Sequence, residues 1–392
     1  MGGSYRPTSF LQYAGENGWR AAAITRELGE PPDRAALELA ARIPEDVSII
    51  RVPSPSFQAS RRVLPSLDGT MEMALQVFDA GRRRFAATPP SVVVATGPPF
   101  HNFLAALYLS RQLRSRLVVD YRDEWTESPF SFVKSGTWDR AVESRILRHA
   151  DGVLFTTRSQ LENALRSFSA LHREKCYLLP NGWEPSSSVS IEAAPQRERS
   201  TTVIAFVGNV APHTHPGPFL DMLEGLVGER PEVADQVRLR LVGPIHEHVR
   251  DRLNQFAYPA MIERVGMLPL SEAQREMAVA DALVLFAGSD LSRYLPGKLF
   301  EYLAAKRPII VYGEAGEAAD LVSSLSVGRR VASQEDFLSF LDEIEELERA
   351  FRGREIETWL AEHRRESLAK RFYGILEDIV GPAPGRSTVE RA

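Results

Sequence analysis

One pattern runs twice through this chain: short apolar runs rich in β-branched residues, separated by longer stretches of helical periodicity. In the first half Val92–Thr96, Leu117–Asp120, Gly152–Thr157 and Cys176–Leu179 read as strands. In the second half Thr202–Val207, Val237–Val242, Met261–Val265, Ala282–Phe286 and Pro308–Tyr312 repeat the scheme. Parallel strands need a crossover of a dozen or more residues and are buried on both faces, so this alternation predicts α/β architecture with two doubly wound parallel sheets. A length of 392 residues suits two domains of ordinary size.

The boundaries follow from composition. Residues 1–185 form the first domain, and residues 186–200, polar and without apolar periodicity, read as a linker. Residues 201–354 form the second. Residues 334–351 and 355–380 have helical periodicity, the latter stopping at Gly381-Pro382, and residues 382–392 read as a mobile tail.

Composition also excludes several classes. The net charge is −5, divided as +3 over residues 1–185 and −8 over the remainder, too weak a bias for a nucleic-acid protein. A lightly basic first half leaves peripheral contact with anionic lipid open, with Met71–Phe78 followed by Arg82-Arg83-Arg84 as the candidate interfacial helix; core packing with a solvated basic end is the favoured reading there. Cys176 is the single cysteine, which precludes an intrachain disulfide and points to a reducing cytoplasm. No apolar run reaches the roughly 18 residues that a membrane span needs, and the first residues lack a signal-peptide core. The expected location is cytoplasmic, in solution or peripheral at the inner face of the membrane.

Open α/β sheets bind ligands at the carboxyl ends of their strands, and the residues with chemical potential fall there. The segment Leu295–Val311 begins a helix at Pro296-Gly297 after an apolar strand. Lys298 in its first turn adds a full charge to the unpaired N–H groups and positive dipole end, a plausible grip for a diphosphate. Glu301 lies one turn on, able to accept hydrogen bonds from a ribose diol; the plain alternative is a surface i,i+3 ion pair between the two. Gly208-Asn209 follows the strand Thr202–Val207, where the lack of a side chain would admit a diphosphate to the backbone, or where the chain simply turns. In the first half, Asp120–Trp125 sets acids and an arginine after a buried strand. There Asp123 could orient or deprotonate a hydroxyl while Arg122 holds the loop or meets phosphate, against the plain reading of a neutralised structural turn. His101 ends another strand-to-helix turn. His213 and His215 alone do not complete a metal site, so no metal is expected.

Five stretches, in order, resemble the family 4 retaining glycosyltransferases of GT-B fold. They are GGSYRP at 2–7, ATGPPFHNFLAALYLSR at 95–111, LVVDYRDEW at 117–125 with YLLPNGWEP at 177–185, VIAFVGNVAP at 203–212, and PGKLFEYLAAKRPIIV at 296–311. The resemblance implies two facing Rossmann-like domains with a C-terminal helix, residues 355–381, crossing back to the first. It implies transfer of a sugar, with retention, from a nucleotide-diphosphate donor to a hydroxyl of a saccharide, lipid-linked or small-molecule acceptor. The donor is a co-substrate and no cofactor is implied. Carried over residue by residue, the donor site comprises Gly208, Asn209, Gly266, Met267, Lys298 and Glu301. The acceptor side comprises Gly3, Ser4, Arg6 and Arg122, with Asp123 and His101 as catalytic candidates.

Three departures qualify the resemblance. Eight positions before Glu301, where the family has a second glutamate, stands Arg293; His213 and His215 occupy the stretch where relatives offer arginine or lysine; and the apolar first strand before the glycine loop is missing, as though the start were assigned too late or the N-terminus truncated. Two other readings therefore stand beside the transferase: a nucleotide-sugar 2-epimerase and a non-catalytic GT-B partner protein.

Overall fold

The computed structural model describes residues 4–27, 34–54, 69–131, 133–185 and 201–381. Gly3, the linker 186–200 and the tail 382–392 lie outside them. The chain divides into two compact units, residues 1–180 with 365–392, and residues 181–364.

The first unit opens on α1 (Tyr5–Gln12) and continues through β1 (Ala22–Arg26), α2 (Arg34–Ala40), β2 (Ser48–Val52) and α3 (Gly69–Phe85). It then alternates β3 (Val92–Gly97), α4 (His101–Leu113), β4 (Arg116–Tyr121), α5 (Thr137–His149), β5 (Gly152–Phe155), α6 (Arg158–Ser167) and β6 (Cys176–Leu178). β3-β4-β5-β6 make a four-stranded parallel sheet, and β1 pairs with β2 in a parallel sheet of their own. Among the described residues no strand precedes α1 and none joins the two sheets. β1 and β2 themselves are not among the apolar runs singled out from the sequence. Their residues, Ala-Ala-Ile-Thr-Arg and Ser-Ile-Ile-Arg-Val, are short and mixed, and most stay partly or fully exposed.

α3 packs part of its apolar side inward, while Leu75 stays exposed. Met71 and Ala74 are buried with Ala105 of α4, and Arg82 and Arg83 pair with Asp79 on the same helix. At Gly81 a Cβ would come within 2.6 Å of Leu109 and 3.1 Å of Ile24, so glycine lets α3 lie close against both α4 and β1.

The second unit contains β7 (Thr202–Val207), α7 (Gly217–Glu229), α8 (Val233–Gln236), β8 (Val237–Val242), α9 (Glu247–Gln255), β9 (Ile262–Gly266) and α10 (Leu270–Val279). It continues with β10 (Ala282–Ala287), α11 (Gly297–Ala304), β11 (Ile309–Gly313), α12 (Glu317–Ser324), β12 (Gly328–Val331), α13 (Gln334–Ala350) and α14 (Arg354–Glu362). Its six parallel strands run in the order β12-β11-β10-β7-β8-β9. This is the doubly wound arrangement in which the order reverses between the first and fourth strands, here β7 and β10. All six residues of β10 are buried, as a central strand covered on both faces requires. One core lies on each face of the sheet: Phe206, Phe219, Phe337 and Phe340 in one, Leu283, Leu299, Tyr302 and Leu303 in the other.

The expected single helix over 355–380 is two, α14 and α15 (Arg365–Val380), broken at His363-Arg364. Trp183 occupies the break: its N–H donates to the His363 carbonyl at 3.2 Å and its indole to the Leu360 carbonyl at 2.9 Å. The chain passes from the second unit to the first at this point. α15 packs within the first unit, where Phe372 stacks on Phe10 at 4.0 Å and the Tyr373 hydroxyl donates to the Phe10 carbonyl at 2.6 Å.

Candidate functional site

In the second unit, the strand-end glycines define a ledge. Gly208, Gly243, Gly266 and Gly313 follow or end β7, β8, β9 and β11, all with positive φ. At Gly243 a Cβ would come within 2.1 Å of the Gly208 carbonyl oxygen, and at Gly313 within 2.2 Å of the Ala287 oxygen, so adjacent strand ends turn against one another at a spacing only glycine permits.

Lys298 reaches this ledge from the first turn of α11, at the reversal point between β7 and β10. Its Nζ lies 3.9 Å from the centre of the Phe206 ring, and a Cβ on Gly208 would come within 2.9 Å of it. Among the described residues Lys298 has no acidic partner and forms no pair with Glu301, which excludes the plain i,i+3 alternative. Burial without a counter-charge pushes the ammonium down to about 7. The aromatic face compensates it only in part. Tyr302, one turn along α11, fixes the helix to β7: the Val207 N–H donates to its hydroxyl at 2.8 Å, and the hydroxyl donates to the Val207 carbonyl at 3.2 Å. Glu301 accepts from the Gln274 amide at 3.3 Å. A desolvated cation beside strand-end backbone is chemically suited to an anion.

In the first unit Arg6 is spent internally. Its guanidinium grips Asp120 with three contacts of 2.8 to 3.2 Å and donates to the Pro180 carbonyl at 2.6 Å, while Thr96 donates to Asp120 at 3.0 Å. Both charges are buried, so Arg6 ties α1 to the end of β4. Arg122 likewise binds the loop after β3 through the carbonyls of Gly97 and Pro98. Ser4 is the exposed N-cap of α1 without a side-chain capping bond. Asp123, half-buried, makes no hydrogen bond among the described residues. Burial raises its carboxyl above the ordinary range, with Arg122 opposing and Glu124 assisting. His101 starts α4 beneath Trp125 and Trp138, with Nε2 3.6 Å from Asp139 Oδ1.

Residues 8–182 match the glycosyl transferase 4-like domain model. The chain has the GT-B fold, and residues 8–182 are similar to that domain. Solved structures agree over nearly the whole length. HepE from Anabaena in complex with UDP is 12% identical, with 96% of each chain covered and a TM-score of 0.68. The lipopolysaccharide outer core galactosyltransferase WaaB is 12% identical over 96% of each chain, at 0.63. Sucrose-phosphate synthase from Thermosynechococcus elongatus is 14% identical over 94% of this chain and 91% of that one, at 0.65. No curated protein matches the sequence.

In this GT-B chain, Gly208, Asn209, Gly266, Lys298 and Glu301 all lie on the strand-end side of the second sheet or on the helix that reaches it. Met267 follows β9 with 78% of its surface exposed. Arg293, the departure from the family's paired acids, lies half-buried in the turn before α11. The sequence did not mark Phe206, Tyr302 or Gln274, because a phenylalanine in a strand, a tyrosine in a helix and a helical glutamine look like ordinary core or surface. Trp138 and Asp139 beside His101 were equally invisible, since they lie 37 and 38 residues away along the chain.

Proposed function

We propose that this protein is a glycosyltransferase that takes a sugar from a nucleotide-diphosphate donor, with a uridine nucleotide as the first candidate, and passes it to a hydroxyl acceptor with retention and without a metal. The observation that carries the reading is Lys298, a desolvated cation without an acidic partner at the strand-order reversal of the second sheet, beside a glycine with no side chain to obstruct a phosphate. HepE, of the same fold, is described with UDP and with UDP-glucose, which supports the choice of base.

The chemistry follows from the site. As the glycosidic bond to the diphosphate breaks, negative charge grows on the leaving oxygens, and the Lys298 ammonium with the α11 N-terminus is preorganised to receive it. Glu301 would accept from the ribose hydroxyls. In the first unit Asp123 would accept a proton from the acceptor hydroxyl, with His101 as a further candidate, while Arg6 and Arg122 hold the loops. The acceptor class is a saccharide, a lipid-linked saccharide or a small molecule, and peripheral membrane contact belongs with the lipid-linked case.

Calorimetric titration with UDP, GDP, dTDP and ADP tests the reading, alongside folded Lys298→Ala and Glu301→Ala variants. Micromolar binding of one nucleotide, weakened in both variants, supports the donor site. Binding of none overturns it in favour of the partner-protein reading, and turnover of a nucleotide sugar to its 2-epimer without acceptor would replace it with the epimerase.

A further inference from the structure

The first unit gathers cations at the edge of its sheet where the strands begin, opposite the carboxyl ends that Asp123 and His101 follow. Arg111 lies near the end of α4, just before β4; Arg145, Arg148 and His149 close α5 before β5; and Lys175 stands immediately before β6. Because β4, β5 and β6 are parallel, these three places share one edge. The Arg111 guanidinium lies against the exposed His149 imidazole, Nη2 3.4 Å from Nδ1 and 3.2 Å from Nε2, and Lys175 Nζ donates to the Arg148 carbonyl at 3.3 Å. Nearby acids are engaged elsewhere, Asp151 with Arg116 and Glu162 with Arg173. Among the described residues Arg111, Arg145, Arg148 and Lys175 form no ion pair, and the charged side chains acting on His149 are these four cations. One helix C-terminus attracts cations of its own. The dipoles do not account for two such ends and a lysine converging without a counter-charge. Tyr108, 46% exposed, stands one turn before Arg111 on the same face of α4.

We propose that this patch docks the protein peripherally on an anionic lipid bilayer. Lipid phosphates supply the missing counter-charge, and each arginine or lysine held at such a surface raises the partition about fivefold. Tyr108 suits the headgroup layer, where its ring meets apolar atoms while its hydroxyl meets water. The surface is not the basic end of α3, where Arg82 and Arg83 are already paired with Asp79. It leaves the carboxyl edge of the sheet open to an acceptor. The inference does not rest on the donor site of the second unit, and it favours the lipid-linked class among the proposed acceptors.

The full chain is co-sedimented with vesicles of phosphatidylcholine alone and of phosphatidylcholine with an equal part of phosphatidylglycerol. Wild type should bind only the mixed vesicles and leave them as potassium chloride rises, because salt screens exposed charges. Arg145→Gln with Arg148→Gln should bind roughly 25-fold more weakly, and adding Arg111→Gln should bring the loss to on the order of a hundredfold. Removing Arg82, Arg83 and Arg84 of α3 by the same Gln substitutions should leave binding as in wild type. All these side chains but one are shared with no core, and unfolding midpoints equal to that of wild type verify that the variants fold. Equal losses in the two triple variants overturn the inference, since net charge and not this surface would then govern. Sedimentation of wild type with neither vesicle also overturns it; retention of wild type but not the patch variant on immobilised polyglutamate would then assign the surface to an acidic protein. Release by inorganic phosphate at an ionic strength where chloride does not release overturns it in favour of a site for the free anion. Calorimetry with UDP on the same preparation reports the donor site separately, so either reading can fail alone.

Discussion

The Nζ of Lys298 lies over the ring of Phe206, and α11 is held there by the Tyr302 hydroxyl bonded to both polar groups of Val207. The cation is thus fixed by its helix and not by a counter-ion. Such a cation differs from one neutralised in a salt bridge.

Gly208 and Gly243 should respond differently to alanine. At Gly208 the added carbon meets the flexible end of Lys298 at 2.9 Å and a φ of 145°, so the ammonium is displaced at a backbone cost of about 1–3 kcal/mol. At Gly243 it meets a backbone oxygen at 2.1 Å, which cannot move without shifting β7. Gly208→Ala should lower nucleotide affinity at least tenfold with a modest loss of stability, and Gly243→Ala should chiefly lower the unfolding midpoint. Calorimetry and denaturant unfolding of both variants check the contrast.

Lys298 should cost stability in the empty protein. Its folded value of about 7 is below the unfolded value of 10.5, so the unfolded state binds more protons between them and stability rises with pH across that window. The penalty is fully present below about pH 7 and is relieved as pH rises toward 10.5. Lys298→Met should therefore be more stable than wild type near pH 6.5, by on the order of 1 kcal/mol, with the gap closing by pH 10. Denaturant midpoints at both pH values decide it, and a wild type more stable than the variant at pH 6.5 would sink the account.

The sequence exposed those parts of the molecule whose signal is local. In the second unit β7, β10 and β11 are near-continuous apolar runs, whereas β8 (Val-Arg-Leu-Arg-Leu-Val) alternates and β9 (Ile-Glu-Arg-Val-Gly) is mixed; β12, Gly-Arg-Arg-Val, carries two arginines and reads as polar. Lys298 and Gly208 were legible because a helix start and a strand end each announce themselves. What could not be read was partnership. Nothing local says that Arg6 is consumed by Asp120, 114 residues away, or that Trp183 interrupts the C-terminal helix. The approach of Gly243 to Gly208 depends likewise on strand order, which no single segment encodes.

Arg6 should matter to folding before binding. It and Asp120 are 7% and 1% exposed at their side chains, and removing one partner of a buried pair leaves the other uncompensated at about 3–5 kcal/mol. Arg6→Ala should destabilise the first unit by that order and leave the intrinsic affinity of the second unit for nucleotide unchanged. Thermal unfolding and calorimetry on the same preparation separate the two effects. A stable Arg6→Ala protein would mean that the clamp is dispensable.

Asp123 offers the sharpest test of the acceptor side, because the three charged neighbours differ in what they have left to give. Asp120 is neutralised by Arg6, and Glu124 accepts from Asn163 at 2.6 Å. Asp123 has no hydrogen bond among the described residues, and burial raises its carboxyl. A base must be ionised to act, so transfer should fall as pH drops through a value above the ordinary carboxylate range. Asp123→Asn keeps the shape and removes the proton acceptor. Transfer to a productive acceptor should drop by roughly 10²–10⁴-fold while nucleotide affinity holds. Asp120→Asn should instead lower stability. Steady-state rates across pH for both variants discriminate, and an Asp123→Asn enzyme with an unchanged rate and an unchanged acid limb would remove Asp123 from the mechanism.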